Sequence, residues 1–171
     1  MCDYKNIFKE ALKESNNHPK WNEGDYKDIK ILPNTKVGDV GEAFIVKLCE
    51  ELGIDYEFPL NKKGEHARTS PWDIKINGIT FELKTATEDV HGSFQFNHIR
   101  YHRDYDAILC LGVSPNSLQF NLWTKSDVAT KKAGTLVSME KNANASYKLT
   151  KRKNQLFDIS EFENKIKSFS L

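Results

Sequence analysis

Asp73, Glu82 and Lys84 are spaced around an Asn77-Gly78 dipeptide in a way that could cut a phosphodiester. Ile74 and Ile76 precede the dipeptide, and Ile79 and Phe81 follow it. Asn-Gly most readily takes the positive φ angles of a two-residue type I′ turn, so the pattern predicts a β-hairpin. Counting outward from the turn sets Ile76 opposite Ile79 and Lys75 opposite Thr80, which brings Asp73 near Glu82 at the open end. Side chains alternate across a strand, so Glu82 and Lys84 share a face and Leu83 takes the other. A divalent cation could bridge the two carboxylates, with the lysine beside it.

Acid-x-Lys by itself carries no signal. Asp3-Tyr4-Lys5, Asp25-Tyr26-Lys27, Asp28-Ile29-Lys30, Asp73-Ile74-Lys75 and Glu163-Asn164-Lys165 all match it, as expected of a chain that is 29% charged. Only Glu82-Leu83-Lys84 lies in an apolar strand with a second carboxylate on the paired strand, where a charged group is costly unless paired or bound to metal. The plainer alternative is an ion pair on an exposed sheet face.

These groups need a scaffold. Upstream, 37–53 reads as a helix, apolar at Val40, Phe44, Leu48 and Leu52, with Ala43, Ile45 and Cys49 adding cover and Gly53 as its stop. Glu42 falls near its expected first turn, where the helix dipole alone would favour a carboxylate. A helix packed beside the hairpin could instead aim Glu42 at the same metal or its water.

Glu42 on a first helix, Asp73 shortly after Pro71, and Glu82-Leu83-Lys84 followed by Thr85-Ala86-Thr87 resemble the PD-(D/E)XK nuclease superfamily, and within it the small type II restriction endonucleases. The resemblance covers roughly 37–128, and Trp72 between Pro71 and Asp73 is a departure from the motif. The stretch Gly92 to Arg100, then Tyr105 to Val113, is also similar to a block found in several restriction-type enzymes. The resemblance implies a restriction-endonuclease-like core, an α/β fold with a mixed β-sheet flanked by α-helices. It also implies Mg²⁺-dependent hydrolysis of double-stranded DNA by a homodimer. Asp73, Glu82 and the Leu83 carbonyl would hold Mg²⁺, Lys84 would orient or help deprotonate the attacking water, and Glu42 would position water or a second ion. A repair, junction-resolving or homing nuclease of the same fold is an alternative, as is a non-catalytic DNA-binding module.

At 171 residues, 39% hydrophobic and 11% aromatic, the chain suits one domain, with its core at about 36–128. It lacks an apolar stretch near the roughly 20 residues of a membrane span, and Met1-Cys2-Asp3-Tyr4-Lys5 lacks the apolar core of a signal peptide, so a cytoplasmic protein is expected. Cys2, Cys49 and Cys110 are odd in number and far apart, which favours buried thiols over disulfides or zinc ligands. A net charge of +1 does not suit a general nucleic-acid binder, but carboxylates at a metal site offset a basic groove.

Elsewhere, Tyr4, Ile7, Phe8, Ala11 and Leu12 mark an amphipathic helix ended by Asn16-Asn17-His18-Pro19. Ala107 to Val113 reads as a strand buried on both faces, turned by Pro115-Asn116 into an alternating strand from Leu118 to Trp123. Ser126-Asp127 could cap one short helix, and Ser160 with Glu163 a last one carrying Phe162, Ile166 and Phe169.

Two polar stretches could touch DNA. Gln95, Asn97, His98 and Arg100 follow the candidate catalytic strand, and could equally open a helix. Lys148, Lys151 and Arg152 lie in a segment mixing cations with amides and hydroxyls, the chemistry of phosphate and base-edge contacts, or simply of a solvated loop. His98 and His102 have the spacing of a shared helix face, but no third zinc ligand stands at a recognisable distance. An HNH-type site using His91 or His98 with Asn97 would leave the hairpin carboxylates unexplained.

Overall fold

In chain order the computed structural model contains α1 (Tyr4–Ser15), α2 (Asn34–Leu52), β1 (Tyr56–Glu57), β2 (Ile74–Ile76), β3 (Ile79–Thr87), β4 (Ser93–Ile99), β5 (Ala107–Val113) and β6 (Leu118–Thr124). α3 (Lys125–Ala129), β7 (Leu136–Glu140), β8 (Ser146–Arg152), β9 (Phe157–Asp158) and α4 (Phe162–Ser168) follow. It describes residues 3–15, 19–67 and 69–171, so the thiol of Cys2 and the stop at Asn16-Asn17-His18 lie outside the described residues. No helix among the described residues is long and apolar enough to cross a membrane.

The fold is α/β. Its main sheet has the order β1-β2-β3-β5-β6-β9 and is mixed, with β3 and β5 parallel and the other neighbours antiparallel. β5 sits at the centre and is buried along its whole length, as its unbroken apolar run requires. Its side chains feed two cores. Ala107 and Leu109 pack with Phe81, Phe120, Ile45, Cys49, Phe162 and Ile166 under α2 and α4. Ile108 and Cys110 pack on the opposite face with Phe94, Phe96, Leu149 and Val128. Cys49 and Cys110 are thus buried free thiols, and burial pushes the Cys49 thiol up to about 11.

That second face is covered mainly by a three-stranded antiparallel sheet of order β4-β8-β7, which the sequence reading did not anticipate. Gln95 to Ile99 therefore form a strand rather than the start of a helix, and His98 and His102 share no helix face. Helix caps also shift. Thr124 accepts from the Asp127 N–H and Asp127 from the Thr124 N–H, a reciprocal cap that replaces the one expected from Ser126. Asp158 accepts from the Ser160 N–H, so the expected Ser160–Glu163 box does not form.

α2 begins at Asn34 and buries Val37, Gly41, Ile45 and Cys49, a row offset from the expected Val40, Phe44, Leu48 and Leu52. Gly41 is the reason. An alanine Cβ there would lie 1.8 Å from Thr85 Oγ1, so only a residue without a side chain lets the helix backbone come this close to β3. The helix rolls to put its glycine against the strand, leaving Phe44 and Leu48 at the margin of the core. Val40 is exposed.

Candidate active site

Asn77 and Gly78 take φ angles of 48° and 82°, the left-handed pair that closes a tight hairpin. The register is the one expected: Ile76 faces Ile79, Lys75 faces Thr80 and Ile74 faces Phe81, which leaves Asp73 beside Glu82. The Asp73 N–H donates to Phe81 O at 2.9 Å as the last rung, and the Leu83 N–H donates to Asp73 Oδ2 at 2.7 Å. A strand residue's N–H and C=O point to the same edge, so the Leu83 carbonyl shares with Asp73 the edge of β3 where β2 has ended.

Glu82 and Lys84 lie on the opposite face of β3 from Leu83. Lys84 Nζ stands 3.2 Å from Glu82 Oε1, and the backbone N–H of Arg100 donates to Glu82 Oε2 at 3.4 Å. Glu82 is only 4% exposed, which rules out the ordinary surface ion pair. A buried carboxylate–ammonium pair is costly to desolvate, and is weak evidence for a purely stabilising role. The Tyr105 hydroxyl is buried without a hydrogen-bond partner among the described residues, and burial first, then the Glu82 charge, pushes its phenol well above the usual range.

Glu42 comes to the site from α2. Because α2 starts at Asn34, Glu42 stands beyond the second turn, where the dipole explanation no longer applies. It lines a cavity of about 720 Å³ together with Asp73, Trp72, His66 and Arg103. Burial first, then the charge of Asp73, raises its carboxyl above the usual glutamate range, with His66 pulling the other way. His66 Nε2 is 4.0 Å from Glu42 Oε1, and its ring stacks on Phe58 at 4.5 Å. Sequence reasoning missed His66 and Arg103, since each reaches the cavity from a connecting segment without a motif.

Asp73, Glu82, Glu42 and the Leu83 carbonyl offer only oxygen donors, the set a hard cation such as Mg²⁺ takes. Among the described residues no three His, Cys, Asp or Glu side chains converge as a ready-made cage. A backbone carbonyl and water would complete the shell, as suits an ion that keeps several waters.

The expected DNA contacts separate into groups. Gln95, Asn97 and His98 line a cleft of about 450 Å³ with Lys84, Thr87 and the first residues of α2. His98 has φ 59° at a bulge in β4, and its Nδ1 lies 3.4 Å from Ser146 Oγ and 3.5 Å from Glu140 Oε1. The Arg100 guanidinium donates to Glu140 Oε2 at 3.0 Å. Lys148 and Arg152 belong to the outward row of β8. Lys151 corrects the sequence reading: it is 7% exposed, donates to the Ala133 carbonyl and lies over the Trp123 ring, turned away from any phosphate. The alternation of β8 dictates this, since Lys151 shares its face with Leu149.

No protein-family model and no curated protein matches this sequence. Among solved structures, the chain is similar to that of the bacterial homing endonuclease I-Ssp6803I, at a TM-score of 0.45 and 12% identity over 71% of this chain and 76% of that one. A likeness this loose carries no argument about activity.

Proposed function

We propose that this protein is a divalent-metal-dependent deoxyribonuclease that cuts double-stranded DNA in the manner of a type II restriction endonuclease. The observation behind this reading is the opposition of Asp73 and a buried Glu82 at the open end of one hairpin, with Lys84 Nζ 3.2 Å from Glu82. Asp73, Glu82 and the Leu83 carbonyl would hold Mg²⁺, which when bound acidifies water and offsets charge on the scissile phosphate. The Leu83 N–H holds the Asp73 carboxylate at 2.7 Å, so it need not be ordered as the reaction begins, while the Arg100 N–H reaches that of Glu82 at a longer 3.4 Å. Lys84 Nζ orients the water that attacks phosphorus as the bond to the leaving oxygen breaks. Glu42, across the cavity from Asp73, accepts a hydrogen bond from water there. Two copies related by a two-fold axis would place one such site on each strand of a palindromic sequence.

Incubating the purified chain with plasmid DNA and Mg²⁺ tests this directly. Discrete fragments are expected, while Asp73→Asn, Glu82→Gln and Lys84→Ala each abolish cutting and keep the wild-type circular dichroism. Glu42→Gln is expected to lose about 10- to 100-fold, the cost typical of a group acting one step from the metal. Near-normal cutting by a folded Asp73, Glu82 or Lys84 variant removes that residue from the site.

A further inference from the structure

We infer that the solvent face of the β4–β8 pair reads base edges in the major groove of duplex DNA, an inference that rests on the deoxyribonuclease reading and adds its specificity surface. Pairing of Gln95 with Thr150, and of Val137 on β7 with Lys148, puts these side chains on one face with Arg152. Asn97 joins them two residues beyond Gln95 and, like Gln95, Thr150 and Arg152, is exposed. The other face of the same strands is spent on the core through Phe94, Phe96 and Leu149.

The chemistry of this face suits a duplex. Neither β4 nor β8 contains an acidic residue, and the outward row of β8 carries Lys148 and Arg152. Between the cations stand two amides and a hydroxyl, the groups that pair with adenine and other base edges, while Val137, 51% exposed, can meet a thymine methyl. Gln95 Nε2 donates to Asp89 Oδ2 at 3.3 Å, which orients the amide and leaves its second N–H and its oxygen to a base.

The dimensions agree as well. Alternate residues along a strand are about 6.8 Å apart, which is about two base-pair steps, so Gln95 and Asn97 address base pairs two steps apart. The three strands β4, β8 and β7, about 4.8 Å apart, span about 9.6 Å between their outer axes, within a groove about 12 Å wide. This face also adjoins the candidate active site, because Gln95 and Asn97 line the same cleft as Lys84. A reader there lies a short distance from the phosphate to be cut. Arg100 and Lys151 are committed to Glu140 and to the Ala133 carbonyl, and are left out of the reading set.

Selection of bound sequences from a randomised duplex library tests the inference without requiring cleavage. The full chain is used with Ca²⁺, a cation of the same oxygen preference. The wild type is expected to enrich a defined motif. Asn97→Ala, Gln95→Ala and Thr150→Ala should each flatten one or two positions of it, lowering preference for the best base there by about 5- to 150-fold while keeping random-sequence affinity and melting temperature. Arg152→Ala should weaken all sequences alike and reduce the salt slope by about one. A wild type that enriches no duplex motif overturns the inference, as does a motif unchanged in all three variants. Plasmid cleavage separates the two readings. A motif lost in the variants, from a protein that never cuts, keeps this surface and refutes the nuclease, whereas cutting with no motif refutes this surface alone.

Discussion

Replacing Gly41 with alanine tests whether the close contact between α2 and β3 positions Glu42. The new methyl would stand 1.8 Å from Thr85 Oγ1, 2.9 Å from Thr85 Cβ and 3.0 Å from Thr85 Cγ2. Turning the threonine hydroxyl away does not clear it, because the Cβ stays where it is. Carbon atoms pack at about 3.5–4.0 Å, so the helix must retreat by about 0.5–1.5 Å. Overpacking of this kind costs about 1–3 kcal/mol, offset by up to about 1 kcal/mol from the better helix propensity of alanine. In a chain this long a net loss of about 1–2 kcal/mol lowers the melting temperature by about 2–8 °C. Glu42 is the next residue and moves with the helix, and a misplacement of about 1 Å costs on the order of 100-fold in rate. Gly38→Ala is the matched control, since among the described residues nothing lies within 4 Å of a methyl there. It should keep full cleavage and melt at or slightly above wild type. Differential scanning calorimetry and single-turnover plasmid cutting measure both effects. A Gly41→Ala protein that melts no lower than wild type and cuts at the wild-type rate refutes the argument.

The raised carboxyl of Glu42 has a pH consequence in protein held free of metal by EDTA. Its folded value lies above the unfolded reference of 4.5, so its contribution is fully present below that reference and is lost as pH rises through the folded value. The melting-temperature difference between wild type and Glu42→Gln should therefore favour wild type most near pH 4 and shrink toward pH 7. A difference that grows with pH would contradict the placement of Glu42 beside Asp73. Lys151→Ala should destabilise by about 1–3 kcal/mol, because it leaves the Ala133 carbonyl without its donor and empties the place over Trp123, whereas Arg152→Ala stays within about 0.5 kcal/mol. Urea melts of the pair check this, and equal stability would return Lys151 to the surface.

The hairpin could be read from the sequence because every determinant of it is local. Asn77-Gly78 fixes the turn, the turn fixes the register, and alternation then places Glu82 and Lys84 together. β5 was equally legible, since a run of seven apolar residues has few other homes. The row that α2 buries was not, because a hydrophobicity pattern ranks Val40 above Gly41 and cannot register that Thr85 needs the glycine. The β4-β8-β7 sheet escaped for a related reason. β4 and β8 are separated by β5 and β6, and a polar outer row with a bulge at His98 blurs the alternation that would mark a strand. Without that sheet, Lys151 looked like its neighbours, and nothing near His66 or Arg103 in sequence joins them to Glu42.

β4 has two tasks at once. Its outward side chains meet the cleft beside Lys84, and immediately past its end the Arg100 N–H holds Glu82 at 3.4 Å, longer than the 2.7 Å bond that fixes Asp73. A shift of the strand by a few tenths of an ångström would tighten or break that longer bond. If the chain cuts DNA as proposed, part of its fidelity would be enforced after docking, by how well the bound sequence tunes the Glu82 carboxylate. On the nuclease reading a wrong base pair would then be penalised twice, once in binding and again in the rate of cutting, so discrimination in kcat/KM would exceed that in affinity alone.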